Sequence, residues 1–253
     1  MREAHRQSVD GHITVLCIDD DTEYLDALQA AFEDVADIEL VVDADPATAL
    51  DRLDDVDCVV SAIEASTTDG GPLLETVREQ DPTMPLLFTT SQDLSGVEDS
   101  LFEVEAVDFH PRNRDGPAFR LFERQLRNLV ARSRLEHRTL QFRTALDLSQ
   151  ELTLVVSGDG RIAYANQPLS SAVTADRNPL SGRNWTDIFT DESVRHLRVE
   201  AFPVIEDGWN WTGTTVLRSH TGDIEARTSL VRLADRSLVF VFHALSRDDE
   251  TCC

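Results

Sequence analysis

DCVVSAIEASTTDGG, residues 57–71, decides what the first half of this chain is and what chemistry it can perform. Its apolar run, Cys58, Val59 and Val60, gives way to small and polar residues and then to Asp69-Gly70. That is the pattern of a buried parallel strand leaving a sheet. In open α/β sheets, ligands and chemistry gather just beyond the carboxyl ends of the strands. The residue at the mouth of this loop, position 62, is alanine.

Outward from that loop, strands and helices alternate. Residues 13–18 (ITVLCI) form an apolar strand that runs straight into Asp19, Asp20 and Asp21, a cluster of carboxylates at a strand end. Leu25, Leu28 and Phe32 then recur at helical spacing. The pattern predicts strands at 39–42, 85–89 and 106–109, and helices over 46–53, with Pro46 at its start, over 73–78 and near 97–102. Another helix starts near Pro117. Five strands alternating with helices predict a doubly wound, flavodoxin-like α/β sheet.

On these residues the segment 12–130 resembles the receiver domain of two-component response regulators. Asp19-Asp20 match the acidic pair after the first strand, Thr89 the hydroxyl residue ending the fourth, and Phe109 the aromatic switch position on the fifth. The phosphoacceptor aspartate of that family lies seven residues before an Asp-Gly pair, and counting back from Asp69 lands on Ala62. The family's lysine, three residues after the switch aromatic, falls on Arg112. Aspartyl phosphorylation needs a carboxylate nucleophile, and a methyl group is not one. Mg²⁺ seeks near-octahedral oxygen ligands, so Asp19 and Asp20 lack their third carboxylate. Arginine keeps the lysine's charge but is a planar fork, so Arg112 is expected to reach the carboxylates as a permanent ion pair. Asp57 precedes the strand, and Glu64 lies two positions beyond the expected site. The resemblance therefore implies a degenerate pseudo-receiver, kept for binding. The alternative is a response regulator phosphorylated at a non-standard acid.

Net charge is −24, with all 23 basic residues arginine and none lysine. Such a surface repels itself at ordinary salt, where screening reaches about 10 Å, and much less at molar salt, where it falls to about 3 Å. We read it as adaptation to a salt-rich cytoplasm, of the haloarchaeal type. The melting temperature is expected to rise between about 0.1 M and about 3 M salt, and an unchanged value would refute this. The same charge opposes nucleic acid, whose binding rests on neutralised phosphates. No apolar run is long enough for a membrane span, and residues 1–11 are an N-terminal tail without a signal-peptide core, so a cytoplasmic location is expected. Cys17 and Cys58 fall inside predicted strands, whereas Cys252 and Cys253 end the chain; no spacing suggests a zinc or redox site.

The charge is unevenly spread. Residues 1–112 hold 5 arginines against 28 acids, residues 113–150 hold 8 against 4, and the remainder 10 against 15. Phe119, Phe122, Leu126 and Leu129 form one helical seam, and Leu135, Thr139, Phe142 and Leu146 a displaced second one. A long helix is expected, packing first on the α/β sheet and then continuing as a connector over 131–146. Two seams allow a parallel coiled coil and a homodimer.

From Glu151 the period changes to strands. LTLVVSGDGRIAYANQP reads as a hairpin turning at Gly158-Asp159-Gly160. Helical pieces follow at 169–173, 185–189 and 191–205, then strands at 209–218, 224–233 and 237–244. GRIAYANQ, LSGRNWTDIF, GWNWTG and the closing hairpin make residues 147–246 similar to a PAS domain, an α+β cup followed by a tail at 247–253. The resemblance implies that Asn166 bonds local backbone, and marks Trp185, His196 and Trp209 as pocket candidates. GRNW is similar to a flavin-adduct motif, but Trp185 stands where that chemistry needs a thiol. His196 lies near the axial ligand position of haem-binding PAS domains. No cofactor is assigned, and an unnamed small ligand in the cup stays open beside the haem and flavin alternatives. No P-loop, nucleophile elbow or paired metal-spaced histidine supports an enzyme, and no histidine kinase, helix-turn-helix or cyclase is expected in the short stretch after the last strand. The implied function is a signalling adaptor whose partners are a histidine kinase or a transcription regulator.

Overall fold

The computed structural model describes residues 11–62, 71–90, 106–112, 116–174 and 180–244. Glu64, Asp69, the helix expected near 97–102 and the two terminal cysteines lie outside the described residues. Two compact units, Met1–Arg138 and Thr139–Cys253, divide the chain.

In the first unit, β1 (Ile13–Ile18), β2 (Ile38–Asp43), β3 (Cys58–Ala62), β4 (Leu86–Thr90) and β5 (Val107–Pro111) form a parallel sheet in the order β2-β1-β3-β4-β5. Its helices are α1 (Thr22–Phe32), α2 (Pro46–Leu50), α3 (Gly71–Gln80) and the 33-residue α4 (Gly116–Leu148). Side chains alternate across a strand, so β1 feeds two cores. Val15 and Cys17 pack with Leu28, Phe122 and Leu126 on one face; Leu16 and Ile18 pack with Leu53, Val77 and Phe88 on the other. Strands buried on both faces read as continuous apolar runs, which is why β1, β3 and β4 are legible in the sequence. Helix α2 stops at Leu50, and Leu53–Asp55 forms a separate 3₁₀ turn. The expected run to residue 53 fails because Asp51, Asp54 and Asp55 set negative charge at a helix C-terminus, where the macrodipole opposes it.

The second unit carries β6 (Leu152–Val156), β7 (Ile162–Ala165), β8 (Trp211–Leu217), β9 (Ile224–Arg232) and β10 (Leu238–Ala244), antiparallel in the order β7-β6-β10-β9-β8. Between β7 and β8 lie α5 (Gln167–Val173), a 3₁₀ turn (Trp185–Ile188), α6 (Asp191–His196), a π-helical stretch (Leu197–Ala201) and α7 (Phe202–Glu206). The sequence predicts one helix over 191–205, and the π stretch interrupts it. Pro203 explains the interruption, since its ring clashes with the carbonyl four residues back and it offers no N–H. Gly160, which closes the β6–β7 hairpin, sits at φ +84°, a left-handed conformation that favours glycine. Among the described residues, no helix is long and apolar enough to cross a membrane.

Candidate functional site

Parallel pairing sets the first site. Ile18 pairs with Ser61 and Ala62 with Thr89, so Asp19, Ala62 and Thr89 follow one another across the carboxyl ends of three adjacent strands. Arg112 follows β5, its backbone N–H bonded to the Thr90 carbonyl at 2.7 Å. The guanidinium Nη2 donates to Asp19 Oδ1 and lies 3.5 Å from Asp21 Oδ2. It also sits 4.6 Å from the centre of the Tyr24 ring, a cation–π distance.

The three acids that look equivalent in the sequence divide their roles. Asp19 is 2 % exposed; burial pushes its carboxyl above the ordinary value, while the Asp21 N–H at 2.8 Å and Arg112 pull it back. Asp20 is exposed. Asp21 caps α1, accepting from the Tyr24 N–H at 3.0 Å. The expected carboxylate cluster is therefore one buried acid, one surface acid and one helix cap. A divalent cation does not fit this donor set: Asp19 is taken by arginine, Asp20 points to solvent, and Ala62 offers no oxygen. Asp19 Oδ2, Thr89 Oγ1 and Arg112 Nε are buried without a hydrogen-bond partner among the described residues, a state that costs about 1–3 kcal/mol per group. Phe109 is half-buried and stacks on Phe88 at 5.9 Å.

Asp57 lies at the opposite end of β3. It accepts from the Thr14 N–H at 3.0 Å and pairs with Arg134 at 2.9 Å, a structural role. Cys17 and Cys58 are buried free thiols, and burial pushes Cys17 up to about 12. His110, 2 % exposed, meets the Phe122 ring edge at 5.2 Å. Its Nδ1–H donates to Gln125 Oε1, an assignment that follows from Gln125 Nε2 donating to the Phe109 carbonyl. Burial lowers the His110 pKa below 6.5. A base depressed in the fold binds fewer protons folded than unfolded, so its contribution is full above about pH 6.5 and lost as pH falls below it. The protection of the β5 amides, relative to their intrinsic exchange rate at each pH, is expected to fall between about pH 7 and pH 5, and His110→Phe to flatten that dependence.

In the second unit Asn166 is fully buried and uses all four hydrogen-bonding positions. Its Oδ1 accepts from the Thr153 N–H at 2.9 Å and the Leu169 N–H at 3.2 Å. Its Nδ2 donates to the Leu146 carbonyl at 2.8 Å and the Glu151 carbonyl at 2.7 Å. One side chain thus ties the last turn of α4, the entry to β6 and the start of α5. Asp147 adds to this knot, accepting from the Gln167 N–H at 2.8 Å and from the Tyr164 hydroxyl at 3.0 Å. Sequence reasoning missed Asp147 and Tyr164; an acid in the last turn of a helix, against the macrodipole, is the signal that it has another partner.

Aromatic side chains pack against one another in the core of the second unit. Trp185 contacts Phe189, Phe202 and Phe240 at ring distances of 5.6, 5.5 and 6.2 Å, and Phe189 reaches Phe242 at 5.8 Å. A flavin or haem in this core would have to displace fully buried aromatics. His196 faces Glu200 at 3.5 Å and Trp211 at 5.6 Å in a partly exposed position. Trp209 is 72 % exposed, whereas Trp211 is 8 % exposed. The Trp211 indole lies over Gly213, where an added Cβ would come within 2.2 Å of the ring.

Strand order and pairing give a flavodoxin-like α/β fold in the first unit and a PAS-like α+β fold in the second. No family model and no curated protein matches the chain. Solved structures match each half separately. The PAS domain of an HTR-like protein from Haloarcula marismortui is 19% identical and aligns over 46% of this chain and 98% of its own, with a TM-score of 0.37. A response regulator receiver domain protein from Clostridium thermocellum is 17% identical over 49% of this chain and 98% of its own, with a TM-score of 0.41. Full-length FixJ from B. japonicum is 21% identical over 53% of this chain and 65% of its own, with a TM-score of 0.43.

Proposed function

We propose that this chain is a non-enzymatic signalling adaptor. Its receiver-type unit docks partners without being phosphorylated, and its PAS-type unit senses or dimerises. The observation that carries the reading is Arg112 closed on Asp19 beside Ala62: the nucleophile is a methyl group, and the carboxylate a metal would use is already neutralised. In this reading the partners are a histidine kinase or a transcription regulator. Signalling is a population shift between two arrangements, biased by a partner that binds one better. The aromatic core of the second unit favours a switch driven by packing over one driven by a resident cofactor.

Acetyl phosphate with Mg²⁺ tests this reading. The expected result is no phosphoryl mass gain on the intact protein. Ala62→Asp alone is also expected to stay inert, because Arg112 still occupies Asp19, whereas Ala62→Asp with Arg112→Lys gains the phosphoryl group. Labelling of the unaltered chain would establish the rival reading, a response regulator using a non-standard acid.

A further inference from the structure

Of the apolar side chains that α4 leaves exposed, three share a frame displaced from the second seam expected above, whereas Leu140 and Leu148 fall outside it. Leu146 is half-buried and its carbonyl is held by Asn166. Leu121, Leu135 and Phe142 are instead 49, 65 and 70 % exposed. With Asn128 they are spaced by sevens, and in that register every first and fourth heptad position from Leu121 to Ala145 is exposed. Phe122, Leu126 and Leu129, on the opposite side, are buried. The outer face is therefore a seam for another helix.

Charge selects the occupant. In the same register the core and flanking positions from Arg120 to Ala145 contain six arginines and no acid, in a chain where acids outnumber arginines 47 to 23. Arg127 and Arg134 are engaged by Asp37 and Asp57. Arg120, Arg124 and Arg138 are exposed and form no ion pair among the described residues. A second copy of α4 would set arginine against arginine at positions 124 and 138, in the contact layer itself.

We propose that this face of α4, within the first unit, docks an acidic amphipathic helix of a partner protein, with apolar residues against Leu121 and Leu135 and carboxylates against Arg124 and Arg138. This rests on the adaptor reading and names the chemistry of its partner. Arginine forks pair with carboxylates bidentately, and complementary charge suppresses wrong partners.

The test uses the full chain in enough salt to keep it folded, with three labelled synthetic helical peptides: leucines at heptad spacing flanked by glutamates, the same leucines flanked by lysines, and the glutamate peptide with its leucines replaced by serine. Fluorescence anisotropy is expected to show binding of the first alone. Arg124→Glu with Arg138→Glu, and separately Leu135→Glu, should each weaken it at least about tenfold. These positions are exposed, and circular dichroism checks that each variant stays folded. Equal binding of the lysine or serine peptide, or of duplex DNA, overturns the proposal. So does no binding at all, or a dimer in sedimentation that Leu135→Glu dissociates. The peptides need no phosphodonor, so labelling by acetyl phosphate would refute the adaptor reading and leave this result standing by itself.

Discussion

Replacing Arg112 with alanine is expected to destabilise the receiver-type unit by about 3–5 kcal/mol, because it strands a buried carboxylate without its counter-charge. Asp19 is 2 % exposed and its other partner is a backbone N–H. The side chain also covers the Tyr24 ring, and that contact is lost too. Two features separate this account from simple loss of packing. The penalty should shrink as pH falls, since burial already raises Asp19 and protonation removes the stranded charge. Removing both partners, as in Arg112→Met with Asp19→Leu, should restore much of the loss, because an apolar pair needs no compensation. Urea unfolding in molar salt, followed by hydrogen exchange of β1 and β3, reads the first unit specifically. A cost below about 1 kcal/mol for Arg112→Ala would show that the pair is a surface ion pair in disguise.

Asn166→Ala should destabilise the PAS-type unit by about 3–5 kcal/mol. The Thr153 and Leu169 N–H groups lose the Asn166 oxygen, and the Leu146 and Glu151 carbonyls are left with Ser149 as donor; each buried unsatisfied group costs about 1–3 kcal/mol, offset where water can enter. Trp185, Trp209 and Trp211 are the chain's three tryptophans and all lie in the second unit, so intrinsic tryptophan fluorescence follows that unit alone. The midpoint should fall by more than about 10 °C for a unit of this size. Asn166→Ser should fall less, because a hydroxyl still accepts from the start of α5. The change should also loosen the last turn of α4, seen as faster exchange at residues 146–151, since the Leu146 and Glu151 carbonyls both lose the Asn166 amide. Slow exchange there in Asn166→Ala would mean that α4 is held by Asp147 alone.

Much of this site was legible in the sequence because its decisive property is compositional. Ala62 has no nucleophilic atom in any fold, and its place at a strand end follows from the apolar run before it. The arginine at position 112 and its preference for carboxylate could likewise be read. What could not be read was which of three adjacent aspartates it would meet. Asp19, Asp20 and Asp21 are chemically alike, and only the end of β1 and the start of α1 make one buried, one exposed and one a cap. Trp209 and Trp211 pose the same difficulty: Trp211 begins β8 and pairs with Leu230, whereas Trp209 precedes the strand and stays outside.

The sequence by itself determined the alternation of elements in the first half, the strand periods of the second, the alanine at position 62 and the arginine-only basic set, because each is a local property of residue type and spacing. Tertiary structure alone decided that Arg112 closes on Asp19 across 93 residues, that Asn166 binds three separate segments, and that α4 turns Leu121 and Leu135 outward. Those outcomes depend on strand register and helix rotation, and both are set by how whole faces pack rather than by any residue's neighbours in the chain.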